Sequence, residues 1–183
     1  MKSQFLAAVA RAPIGDPLRS DVLFGPVINQ AAADRILKTI ERAVTQGFGE
    51  LVLGGNRIGG ELAAGFYVEP TVFADVDNSS PLAQQETFGP VVSVMRFSDD
   101  AQAVDLANDT RYGLNAFVHT TNLQRAHTVS RQLQAGSVWV NTRSDIQPQS
   151  PYGGYKHSGI GRSGGVEGLR EFRQTKNIRI KVS

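Results

Sequence analysis

The residues of this sequence best equipped for chemistry are Glu86 and Phe88, which lie two positions apart in Glu86-Thr87-Phe88-Gly89-Pro90. In extended chain, residues i and i+2 point to the same side. An acid and a ring so placed would face one ligand just ahead of a Gly-Pro turn. A carboxylate can accept hydrogen bonds from ribose hydroxyls, and an aromatic ring can pack against a nicotinamide. Taken alone, the pentapeptide also describes a surface acid beside a core aromatic, so the surrounding sequence has to decide.

Other chemical patterns are weaker. Gly159-Ile160-Gly161-Arg162-Ser163-Gly164 fits the dinucleotide spacing G-x-G-x-x-G, which works where a strand delivers the glycines to a helix N-terminus facing a pyrophosphate. Here no strand precedes it, no long apolar helix follows, and the acid expected about 20 residues on is missing. The match reads as a coincidence in a glycine-rich loop. His119, His127 and His157 have neither i, i+4 pairing nor cysteine companions, so no metal site is expected. Glu167 and Glu171 could share a helix face, but Arg170 and Arg173 lie among them, and a solvated charge cluster is the simpler reading. With no cysteine in the chain, disulfides, thiolate metal sites and a cysteine nucleophile are all excluded.

The elements that must hold these residues alternate between helix and strand. Ile36, Leu37, Ile40, Ala43 and Val44 mark one face of a helix over residues 34–44, with Gly47 as its stop. Leu51, Val52 and Leu53 form a short apolar run ended by Gly54 and Gly55, which suits a buried strand. Residues 67–73 read as extended chain interrupted by Pro70, and residues 91–97 as a better strand. Ser98 is expected to cap a helix carrying Ala101, Val104, Leu106 and Ala107 that ends at Tyr112-Gly113. Residues 115–120 are strand-like, and Asn122 caps a helix bearing Leu123, Ala126, Val129 and Leu133. Gly136 closes that helix, and the strand Ser137-Val138-Trp139-Val140 follows. This alternation predicts an α/β fold of three layers, a mostly parallel sheet flanked by helices on both faces. Residues 141–168 then form a long irregular stretch of the kind compact domains keep for function. A helical turn near residues 169–173 leads to a terminal strand with Ile178, Ile180 and Val182 alternating with polar residues, which must pair or leave an open edge.

Length and composition set the frame. With 183 residues, 40% hydrophobic and 20% charged, one core of moderate size is the default expectation. A net charge of +2 made of scattered residues gives no basic patch for nucleic acid. No run approaches the roughly 18 apolar residues of a membrane span, and residues 1–11 are too short and mixed for a secretory leader. A cytoplasmic protein is expected.

Read in order, the chain also contains Gly15-Asp16-Pro17, Gly25-Pro26-Val27-Ile28, Gly65-Phe66-Tyr67-Val68-Glu69-Pro70-Thr71-Val72, Glu86-Thr87-Phe88-Gly89-Pro90-Val91, Ala107-Asn108-Asp109-Thr110-Arg111-Tyr112-Gly113-Leu114, Gly136-Ser137-Val138-Trp139-Val140-Asn141 and Pro151-Tyr152-Gly153-Gly154-Tyr155-Lys156-His157-Ser158-Gly159. This ordered series resembles the C-terminal part of the NAD(P)-dependent aldehyde dehydrogenase superfamily, nearly end to end and in one register. The resemblance implies that Glu86 binds the nicotinamide ribose and that Phe88 helps position the nicotinamide ring. Many members carry two acids before the hydrophobe, whereas this chain has Gln85-Glu86-Thr87. The position that contacts cofactor is the one retained. By the same resemblance, residues 142–150 would help wall the aldehyde tunnel. Residues 1–175 would be the C-terminal part of a catalytic domain, and residues 176–183 an oligomerisation strand that resolves the open edge. A homo-oligomer, with a dimer favoured, is therefore expected.

In that family a cysteine thiolate attacks the aldehyde, a hydride passes to NAD(P)+, and a glutamate-activated water releases the acid. The cysteine, the glutamate and the domain that binds most of the cofactor all belong upstream of the matched region. The expectation is an enzyme portion with no catalytic residue and no turnover of its own, with weak NAD(P) binding or none, and with an N-terminal half as the missing partner. Such a chain could be a partial gene product, a deliberately expressed domain or a natural module. The rival expectation is a stand-alone, non-catalytic binding or assembly module that reuses the fold.

Overall fold

A computed structural model describes residues 2–182. It divides into two compact units, residues 1–96 and 97–183. Among the described residues five strands form two small sheets with helices packed against them, an α/β arrangement in each unit.

The first unit opens with α1 (Lys2–Ala10), which the sequence reading did not foresee. It has no amphipathic stripe, and its Ala7, Ala8 and Ala10 favour helix through intrinsic propensity instead. Helix α2 (Gln30–Thr45) is longer than expected because Asn29 caps it, its side chain accepting from the Ala32 amide at 2.8 Å. Its far end is a Schellman turn. Phe48 donates to Ala43 O, Gly47 donates to Val44 O, and Gly47 takes a φ of 67° that costs glycine little. The buried stripe Ala33, Ile36, Ile40 and Ala43 joins Val68, Phe73, Val76 and Leu82 in one core.

That core is organised by β2 (Thr71–Ala74), buried along its whole length. It is the central strand between β1 (Glu50–Leu53) and β3 (Val91–Ser93), with the short helix α3 (Pro81–Gln84) between β2 and β3 in sequence. The β2–β3 pair is parallel, with Thr71 opposite Val91. The β1–β2 pair is antiparallel, with Glu50 opposite Ala74, the exception within a mostly parallel pairing. The extended chain at residues 67–70 lies outside the named strands and pairs only through an isolated antiparallel bridge, Val68 opposite Arg57.

In the second unit α4 (Asp100–Asn108) is capped by Asp99 rather than Ser98. The Asp99 carboxylate accepts from the Gln102 amide at 2.9 Å, while the Gln102 side chain accepts from the Ser98 amide at 2.6 Å. Aspartate is the stronger acceptor and takes the cap, and Ser98 closes the box one residue earlier. The helix also stops at Asn108 instead of running to Tyr112-Gly113. Strands β4 (Asn115–Val118) and β5 (Ser137–Val140) pair in parallel. Helix α5 (Leu123–Gln132), capped by Asn122 as expected, packs against both strands and α4. The Asn108 amide group holds the far end of α5, donating to Gln132 O and accepting from the Gln134 amide. Helix α6 (Gly165–Glu171) takes the place of the brief turn expected near residue 169. The terminal segment forms no ladder within the described chain, and Ile178, Ile180 and Val182 are exposed. Among the described residues no strand forms there.

Candidate functional site

The loop that carries Glu86 and Phe88 is fixed at both ends by the first unit. On one side α3 ends at Gln85, whose amide bonds to Pro81 O. On the other, Pro90 O accepts from the Thr71 amide at 2.8 Å and starts the β2–β3 register. Beneath the loop lies α2. Ile36 is fully buried there, and a Cβ built on Gly89 would sit 2.4 Å from the Ile36 Cδ1. A real side chain cannot approach so closely, so Gly89 lets the loop settle onto the helix. Next to Ile36, the Arg35 guanidinium reaches up, its Nη1 donating to Thr87 O and its Nη2 lying 3.5 Å from Phe88 O.

Phe88 is 78% exposed, and its φ is +48°. Both features run against ordinary preference. A large aromatic gains nothing from burial at that exposure, and a non-glycine residue with positive φ is strained by roughly 1–2 kcal/mol. Glu86 is exposed too, and its carboxylate makes no hydrogen bond or ion pair among the described residues. The left-handed backbone at Phe88 breaks the extended-chain alternation from which a common side for the two side chains was read. A concavity of about 170 Å³ adjoins the loop, with Arg35, Thr39, Arg42, Glu86 and Thr87 among its walls. Arg35 was missed by the sequence reading, since a cation on the outer face of an amphipathic helix looks like any solvated charge.

The second unit holds the long irregular stretch. Asn141 takes a φ of +55° and ties itself to Thr120 in both directions, accepting from its amide and donating to its carbonyl. Residues 142–150 are exposed. Part of this loop faces β5 across a concavity of about 200 Å³, where Trp139, Asp145, Ile146 and Tyr152 line the wall. The glycines of this region serve chain-on-chain approach. A Cβ on Gly136 would fall 1.6 Å from Gly153 O, and one on Gly164 would fall 2.5 Å from Ser150 O. The G-x-G-x-x-G match therefore sits in a self-packed loop ahead of a seven-residue helix, with a short 3-10 turn over Lys156–Ser158 before it. Lys156 donates from Nζ to Asn108 O and Thr110 O, tying this loop to the end of α4.

The remaining candidates stay apart. His119, His127 and His157 are each exposed, and no cluster of three or more potential metal ligands exists among the described residues. Glu171 accepts from the Arg162 amide at 3.4 Å, a contact that engages it away from Glu167. Asp77 is a carboxylate with a lowered pKa, through the Ser79 backbone N–H first and the Ser79 hydroxyl second. It is a turn-forming group at the approach to α3.

The chain matches the aldehyde dehydrogenase family over residues 1–178. Among solved structures it is similar to betaine aldehyde dehydrogenase from Staphylococcus aureus in complex with NAD+, at 36% identity and a TM-score of 0.89, covering 93% of this chain and 34% of that one. Aldehyde dehydrogenase C from Pseudomonas syringae, a mutant complexed with NAD+ and octanal, is 38% identical with a TM-score of 0.89, covering 96% and 36%. The indole-3-acetaldehyde dehydrogenase of P. syringae, a mutant in complex with NAD+, is 38% identical with a TM-score of 0.91, covering 99% and 36%. The chain thus spans about a third of the length of the solved structures it matches.

Proposed function

Because the chain belongs to the aldehyde dehydrogenase family, we propose that it is the C-terminal portion of an NAD(P)-dependent enzyme that oxidises aldehydes to acids. In this reading it contributes the nicotinamide end of the cofactor site. The observation that carries this reading is the loop at Glu86 and Phe88. It holds an unengaged carboxylate and, two residues further on, an aromatic ring kept exposed in a strained backbone conformation. Strain maintained without burial is what a binding surface requires, because the ligand supplies the missing contact. NAD(P)+, when bound, supplies the hydride acceptor. Glu86 accepts hydrogen bonds from the ribose hydroxyls, strengthened by its charge. The Phe88 ring offers a flat apolar surface to the nicotinamide. Residues 142–150, with Ile146 facing β5, bound the aldehyde channel and bear on substrate choice.

The chain on its own has no nucleophile for this chemistry, since it contains no cysteine. We expect no NAD(P)H formation from any aldehyde with the purified 183-residue chain, followed by absorbance. Turnover that stays with the protein through further purification would overturn the reading. The exposed Ile178, Ile180 and Val182 support a homo-oligomer in which this segment adds to a sheet edge of another copy.

A further inference from the structure

Arg35 lies outside the pentapeptide and outside every motif of the chain, yet it is the side chain that engages the backbone of the cofactor loop. Successive carbonyls of extended chain point to opposite sides. Two successive carbonyls, Thr87 O and Phe88 O, converge on one guanidinium only if the residue between their peptide planes leaves the extended region. Phe88 does so, at a φ of +48°. Gly89 then drops against Ile36, the residue after Arg35, where no Cβ would fit. Two consecutive residues of α2 thus meet the loop, Ile36 through packing against Gly89 and Arg35 through its guanidinium. A guanidinium is suited to this because its donors are held in a rigid planar fork, whereas an ammonium is a single point.

We propose that Arg35 is a positioning residue, selecting the left-handed conformation of Phe88 and so keeping its ring exposed toward the cofactor. This rests on the reading of Glu86 and Phe88 as the nicotinamide end of the site, and it deepens that reading. The role is exerted through the backbone of the loop.

Nuclear magnetic resonance of the full chain without any nucleotide tests this directly. In the wild type, Phe88 should give the strong intraresidue HN–Hα cross-relaxation peak that a positive φ produces. Arg35→Met keeps the apolar stem and removes every donor. It is expected to abolish that peak and shift the amides of residues 86–89, while the amides of Phe73 and Ile40 stay in place. Arg35→Lys is expected to restore part of the peak, as one donor returns. A Met variant that keeps the peak and the wild-type loop shifts would overturn the proposal. So would a Lys variant that behaves no better than Met. If the Met variant does not fold, Arg35→Ala, which likewise has no donor, is read by the same peak, where full retention overturns the proposal and loss supports it. Adding NAD+ to the same samples separates the two ideas. Wild-type loop signals that ignore the nucleotide would remove the cofactor reading and leave the positioning role standing.

Discussion

At the scale of single residues, Phe88 is where local preference and structure disagree most. Its left-handed backbone costs about 1–2 kcal/mol, and its exposed ring recovers little through burial. Glycine would remove the strain but add freedom to the unfolded chain, effects of similar size and opposite sign. Phe88→Gly is therefore expected to change the unfolding free energy by less than about 1 kcal/mol in a denaturant titration. A loss above about 2 kcal/mol would mark the ring as a structural group and contradict its assignment to a ligand. The sequence made Glu86 and Phe88 visible because the motif Glu86-Thr87-Phe88-Gly89-Pro90 is contiguous. It hid Arg35, whose bond to Thr87 O spans 52 positions. It also misplaced the backbone at Phe88, because an aromatic ahead of Gly-Pro resembles strand, and only the grip of α2 from below makes it otherwise.

At the scale of elements, legibility followed locality. Helix α2 could be read from its periodic stripe, though its start at Asn29 was missed, and α5 from the cap at Asn122 and the stripe that follows. Strand β5 could be read because four consecutive residues fit a half-buried ladder. Where two neighbouring residues competed for one role the reading failed, as when Asp99 took the cap from Ser98. The parallel direction of β2–β3 and β4–β5 agrees with the alternation of helix and strand, but the antiparallel direction of β1–β2 was illegible for a different reason. Leu51 opposite Phe73 in an antiparallel ladder depends on where the loop between β1 and β2 returns the chain. No pattern within either strand encodes that return. Helix α1 was missed because alanine-rich propensity leaves no periodic mark.

At the scale of the whole molecule, each unit has apolar residues left in solvent. The terminal segment is the most concentrated case, with Ile178, Ile180 and Val182 exposed and no ladder partner within the described chain. We expect the chain to form a homo-oligomer, most simply a two-fold dimer, because closed two-fold symmetry is the commonest assembly. Light scattering at micromolar concentration checks this. A well-folded monomer, or an oligomer unchanged by deleting residues 176–183, would contradict the role given to that segment. The account as a whole turns on whether the loop at Glu86 and Phe88 receives a nicotinamide nucleotide. The most direct measurement is an NAD+ titration of the labelled chain followed residue by residue by nuclear magnetic resonance. The expected result is a set of shifts concentrated at residues 86–90 that saturate only in the millimolar range, near −4 kcal/mol of binding free energy or weaker, about what one end of the ligand can supply. Unmoved loop signals at millimolar NAD+, or micromolar saturation centred elsewhere, would contradict the account.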